Sequence, residues 1–115
     1  MPRAKAGYAA RMYILTVTYP KSKGATFDYD YFRQKHLPEV GNAFGQFGLG
    51  FASVLKGEES LDGKDPAYFA ITILSFREEQ GARDAVASEG AKRLIEDIPN
   101  FTDCKPVLQF NTAVP

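Results

Sequence analysis

The chain is nearly empty of the two residues that build most metal and redox sites. It has one cysteine, Cys104, and one histidine, His36, in 115 residues. A single cysteine excludes an intrachain disulfide and suits a reducing, cytoplasmic setting. Zinc sites of four cysteines, of two cysteines and two histidines, or of three histidines cannot be assembled within one chain. A Ser-His-Asp triad would have to use His36, and no G-x-S-x-G elbow is present. No G-x-x-x-x-G-K-[ST] phosphate loop occurs. The glycines of Gly45-Gln46-Phe47-Gly48-Leu49-Gly50 follow a helical segment in the wrong order for a dinucleotide fingerprint, and they read as a helix exit and turn. Excess charge is missing as well, with 14 basic residues against 14 acidic ones. That balance argues against a nucleic-acid partner, which needs a basic excess, and against an electrostatic membrane anchor. No apolar run approaches the roughly 20 residues of a membrane-spanning helix.

What remains is an ordinary globular composition, 44% hydrophobic and 24% charged, at about the usual size of one domain. Residues 1–11 stand apart. They carry Arg3, Lys5 and Arg11 and no acid; removing these three leaves 11 basic residues against 14 acidic ones, a net charge of −3 for the rest. The segment reads as a flexible N-terminal extension to a single domain over 12–115. Met12–Tyr19 is β-branched and aromatic and ends at Pro20, the pattern of a strand. Asp28 caps a helix whose apolar positions are Phe32, Val40, Ala43, Phe44 and Phe47, with Phe27 placed as a staple and Pro38 expected to kink or shorten it. Leu49–Lys56 and Tyr68–Phe76 are strands. A second helix over 78–95 breaks near Ser88, which can cap its second half, and Ala82, Val86, Gly90 and Leu94 form its buried stripe. Cys104–Thr112 is a last strand, placed at an edge by Pro106.

The order β-α-β-β-α-β predicts an α+β, ferredoxin-like fold, with both helices on one face of a four-stranded antiparallel sheet. The first and third strands are the most apolar and belong in the centre. Residues on both of their faces are apolar, yet two helices cover only one face. A second copy of the sheet is the simplest cover, which predicts a homodimer through the open face.

Three stretches carry a family resemblance. They are Tyr19-Pro20 with Phe27-Asp28-Tyr29-Asp30-Tyr31-Phe32, then His36-Leu37-Pro38, and finally Asp97-Ile98-Pro99-Asn100-Phe101-Thr102-Asp103 with Pro106-Val107-Leu108-Gln109. Together they resemble the EthD family, named for ethyl tert-butyl ether degradation, from Met12 to Thr112. The resemblance implies a dimeric α+β barrel and an oxidoreductase-like label. Related barrels include cofactor-free monooxygenases, isomerases and cyclases.

His36 is the residue best suited to chemistry. It is either a structural helix histidine or a neutral imidazole facing an apolar pocket, where it can move a proton near neutral pH. We expect the second, with Tyr29, Phe32, Val40 and Gln109 as ligand-binding residues. Tyr31 and Tyr68 are further candidates for a cavity wall. Asp28, Asn100, Thr102 and Asp103 suit caps and turns. No nicotinamide, flavin, haem or metal motif is present, so no cofactor is expected. Two functions fit: a cofactor-free oxidoreductase or isomerase-type enzyme acting on a hydrophobic or aromatic small molecule, or an accessory protein that binds such a molecule and hands it on.

Overall fold

The structure, a computed structural model, describes residues 12–115. The expectation for residues 1–11 lies outside the described residues. Four strands, β1 (Tyr13–Pro20), β2 (Leu49–Lys56), β3 (Tyr68–Phe76) and β4 (Val107–Asn111), form one antiparallel sheet in the order β2-β3-β1-β4. This is the ferredoxin-like arrangement, with β1 and β3 central and β4 at an edge, as the apolar runs and Pro106 predicted.

The first helix, α1, covers residues 29–44 in three pieces. One α-helical turn, Tyr29–Tyr31, starts it; a π-helical segment, Phe32–His36, follows; α-helical Leu37–Phe44 completes it before a 3-10 turn at Gly45–Phe47. Asp28 caps the start, its carboxylate accepting from the Tyr31 backbone N–H at 3.1 Å. Phe27 packs on Phe32 at 5.1 Å between ring centres, the hydrophobic staple expected there. Pro38 does not end the helix, which runs on to Phe44. In a regular α-helix its ring would meet the Gln34 carbonyl. Here the preceding turn widens, and the Leu37 N–H donates to the Phe32 carbonyl, five residues back.

The second helical region divides at Ser88 into α2 (Glu79–Val86) and α3 (Glu89–Asp97). The Ser88 hydroxyl oxygen accepts from the Ala91 N–H at 3.2 Å and so caps α3. Gly90 sits where α3 meets α1: a Cβ there would lie 2.9 Å from the Ala43 Cβ, so only glycine permits the approach. A 3-10 turn, Ile98–Asn100, ends the region.

The helices cover the sheet face made by Leu15, Val17 and Tyr19 of β1 and by Ala70, Thr72, Leu74 and Phe76 of β3. Two buried clusters fill the space between, one around Leu15, Phe44, Leu74 and Phe76 and the other around Tyr19, Phe32, Phe69 and Phe101. The open face corrects the expectation of an apolar surface throughout. By register it divides in two. The β2–β3 half carries Phe51, Leu55, Ile71 and Ile73 together with Ser53 and Ser75, whereas the β1–β4 half carries Thr16, Thr18, Gln109 and Asn111 together with Ile14 and Val107. There Asn111 Nδ2 donates to Thr16 Oγ1 at 3.0 Å, and Gln109 Nε2 to Asn111 Oδ1 at 2.6 Å. Among the described residues, no helix is long and apolar enough to cross a membrane.

Candidate active site

His36 closes the π-helical segment of α1, and its side chain is buried. Its Nδ1 lies 2.9 Å from Asp97 Oδ2, on the last turn of α3. The ring rests on Phe101 at 4.7 Å and is stacked with Phe32 at 5.8 Å. Asp97 accepts two further hydrogen bonds on its other oxygen, from the Tyr31 hydroxyl at 2.6 Å and from Asn100 Nδ2 at 2.9 Å. Partial burial works to raise the Asp97 carboxyl, but the bonds from Tyr31, Asn100 and His36 outweigh it and hold the group below the ordinary carboxylate range. An ionised Asp97 can only accept, so Nδ1 carries a proton and donates it. In the neutral ring Nε2 is then the acceptor.

His36 lies on the wall of a cavity of about 60 Å³ between the sheet and the helices. That is room for about two water molecules at a liquid share of roughly 30 Å³ each, and under half of the roughly 150 Å³ of a dry cavity that takes benzene, so a one-ring ligand must extend beyond it. The wall draws on both buried clusters: Leu15, Phe44 and Leu74 from one, Tyr19, Phe32 and Ile98 from the other. Two lining residues, Leu108 of β4 and Ile95 of α3, are 44% and 53% exposed, which puts the mouth between β4 and α3. Polar groups on the wall are few. Besides His36 they are Thr72 and the phenol of Tyr19, whose pKa burial pushes well up, so that it stays neutral. Among the described residues, His36 Nε2 has no hydrogen-bond partner, and no group of three or more His, Cys, Asp or Glu side chains could hold a metal ion.

The Asp97 bonds have a measurable consequence. The folded state holds this carboxyl below the roughly 3.9 of an unfolded aspartate. Asp97 therefore contributes its stability in full above that value and loses it as pH falls through the lower folded pKa. Stability measured against pH should fall less steeply below about pH 4 in Asp97→Asn than in the parent protein. An identical acid limb in the two would show that these bonds do not hold the carboxylate.

The sequence-predicted site residues divide cleanly. His36, Phe32 and Val40 come together on the cavity wall. Tyr29 does not join them; its hydroxyl donates to the Phe69 carbonyl at 3.0 Å and its ring packs on Phe27. Gln109 is on the open face of the sheet, paired with Thr16 in register, and is thus separated from the cavity by the sheet itself. Tyr31 stays outside the wall but reaches the site through Asp97, and Tyr68 is exposed. Thr102 and Asp103 serve the backbone as expected, Thr102 Oγ1 donating to the Thr26 carbonyl and Asp103 accepting from the Thr26 N–H. Sequence reasoning missed Asp97, Tyr19 and Thr72 as site residues. Asp97 had a signal, an acid at a helix end next to turn-forming Pro99 and Asn100.

The same geometry can be set beside known proteins. An EthD-like protein of Ralstonia eutropha superposes with a TM-score of 0.80 at 32% identity, over 91% of this chain and 94% of that one. This chain belongs to the EthD family. A second EthD-family protein, from Bacillus halodurans, matches with a TM-score of 0.66 at 14% identity, over 90% of this chain and 99% of that one. SnoaB, a cofactor-independent oxygenase from Streptomyces nogalater, shares the fold with a TM-score of 0.64 at 15% identity, over 92% and 96% of the two chains. No family model and no curated protein matches. The EthD resemblance read from the three sequence stretches holds, and so does the ferredoxin-like α+β fold of the single chain.

Proposed function

We propose that this EthD-family chain is a cofactor-free enzyme that moves a proton on a small hydrophobic molecule bearing a carbonyl or phenol. The observation that carries the reading is the buried His36 on the wall of an almost entirely apolar cavity, its Nδ1 held by the half-buried Asp97 behind it. Asp97 fixes the ring's orientation and tautomer, so Nε2 accepts the proton. A C–H bond beside the ligand's carbonyl, or a phenol O–H, breaks and leaves its electron pair on the ligand. The imidazolium that forms is stabilised by the carboxylate at 2.9 Å. Returning the proton to another atom isomerises the ligand. Reaction of the ligand anion with dioxygen would instead give oxygenation, and the shared fold of a cofactor-independent oxygenase supports that second outcome.

The apolar half of the open face supports a homodimer. Phe51 and Leu55 are 55% and 51% exposed there, beside Ile71 and Ile73. A second copy would cover them, with the hydroxyl and amide half of the face meeting its counterpart at the rim. Light scattering at micromolar concentration should return twice the 12.7 kDa chain mass; the single-chain mass would refute the dimer.

The enzyme reading is tested in heavy water with phenylacetone, a one-ring ketone. The protein should speed deuterium exchange beside the carbonyl, followed by proton NMR. Exchange no faster than in buffer, under conditions where the ketone saturates the protein, would leave a carrier that binds its ligand and hands it on.

A further inference from the structure

Thr72 stands at the centre of β3, opposite Val17 of β1, and its side chain lines the cavity from the sheet side. The residue is 4% exposed. Its hydroxyl oxygen is shut away from solvent and has no hydrogen-bond partner, the sole buried side-chain polar atom so placed among the described residues. Such an orphan is costly, because the hydroxyl gives up water and gains nothing in return. Valine would fill the same space on a central strand without that cost. Thr16 and Thr18, on the neighbouring strand, both find acceptors in the β4 carbonyls, at 3.4 Å each. Thr72 differs from them in facing the cavity.

We infer that Thr72 is the sheet-side anchor of the ligand: its hydroxyl bonds an oxygen of the bound molecule while His36 on α1 receives a second one. The inference rests on the proposed reading of the cavity as a ligand site, and it narrows the ligand class. The molecule is a compact hydrocarbon frame with two oxygen functions, one for each wall, of the kind found in dihydroxy or hydroxy-carbonyl aromatics. The rest of the wall is almost entirely apolar and offers no competing polar point on the sheet except the Tyr19 phenol. In the observed rotamer the hydroxyl oxygen has almost no accessible surface, even toward the cavity, so the bond to the ligand requires a step of χ1 to another of the few staggered positions open to a β-branched side chain.

The test compares phenol with hydroquinone and resorcinol, three one-ring probes that differ in their number of oxygens. Binding is read by NMR titration of the native protein, Thr72→Val and Thr72→Ser. Thr72→Val should weaken the better-bound diol about tenfold and change phenol by less than about twofold; Thr72→Ser should restore the diol. Without ligand, Thr72→Val should melt about 3–6 °C higher, since a methyl replaces an unpaired hydroxyl. An unchanged diol affinity in Thr72→Val, an equal loss for phenol, or a lower melting temperature would overturn the anchor. If phenol binds and only the Thr72 effect is missing, the anchor alone fails. If none of the three probes binds the native protein, the cavity reading falls and the anchor falls with it.

Discussion

His36→Ala should slow deuterium exchange into phenylacetone by about 10²–10⁴-fold, the usual contribution of one positioned base. The variant removes the acceptor nitrogen and leaves Asp97 with the donors Tyr31 and Asn100, so the carboxylate stays satisfied. Circular dichroism should show the fold retained. Imidazole added to the solution should recover part of the rate by occupying the vacated space. Asp97→Asn tests the other half of the pair. Its amide can present an N–H to Nδ1, which moves the ring proton to Nε2 and turns the base into a donor. Activity should fall although His36 is intact. Full activity in His36→Ala would remove His36 from the chemistry, and full activity in Asp97→Asn would show that the carboxylate does not set the tautomer.

Phe101→Ala should cost about 3–5 kcal/mol of stability, the range for deleting a buried phenylalanine. Few side chains in the described structure hold more together. Its ring meets Tyr19, Phe27, Tyr31, Phe32 and His36 at centre distances between 4.7 and 6.2 Å. The residue itself is 3% exposed. Removing it opens a hole behind the imidazole, so the loss should appear both in urea unfolding and in the reaction rate. Phe101→Leu, which keeps most of the volume, should lose far less stability. A loss for Phe101→Ala below about 1 kcal/mol would mean that the cluster closes around the gap.

The strands and caps were legible because their signals are local. The run from Tyr68 to Phe76, the cap at Asp28 and the break at Ser88 each sit within a few residues of the pattern that reveals them. The His36–Asp97 pair spans 61 positions, and nothing in the local sequence ties a histidine on one helix to an acid at the end of another. Gln109 was misplaced for a different reason. In β4, Leu108 and Phe110 alternate with Gln109 and Asn111, and the alternation already sets the amides opposite the core. Reading Gln109 by its apolar neighbours ignored the two-residue period. Thr16 and Thr18 carried the same message in β1, and with it the divided character of the open face. Thr72 was hidden because a threonine in an apolar strand is unremarkable until its missing partner is seen.

The wide turn of α1 has a consequence for how its residues are counted. Phe32, His36, Val40 and Phe44 all line the cavity at a uniform spacing of four. In an unbroken α-helix each step of four overshoots a full turn by about 40°, so three steps would carry the last side chain about 120° from the first. The π-helical segment lies under the first step, between Phe32 and His36. Its i→i+5 bonding takes more residues per turn, so that step falls short of a turn and offsets part of the overshoot of the next two. Strike out any one residue from positions 33–35, and the spacing becomes three, four and four, the phase of a regular amphipathic face. The helix thus has the form of a regular one that has absorbed a one-residue insertion without turning either end away from the sheet. The extra residue enters in the turn that leads to the one imidazole the chain possesses.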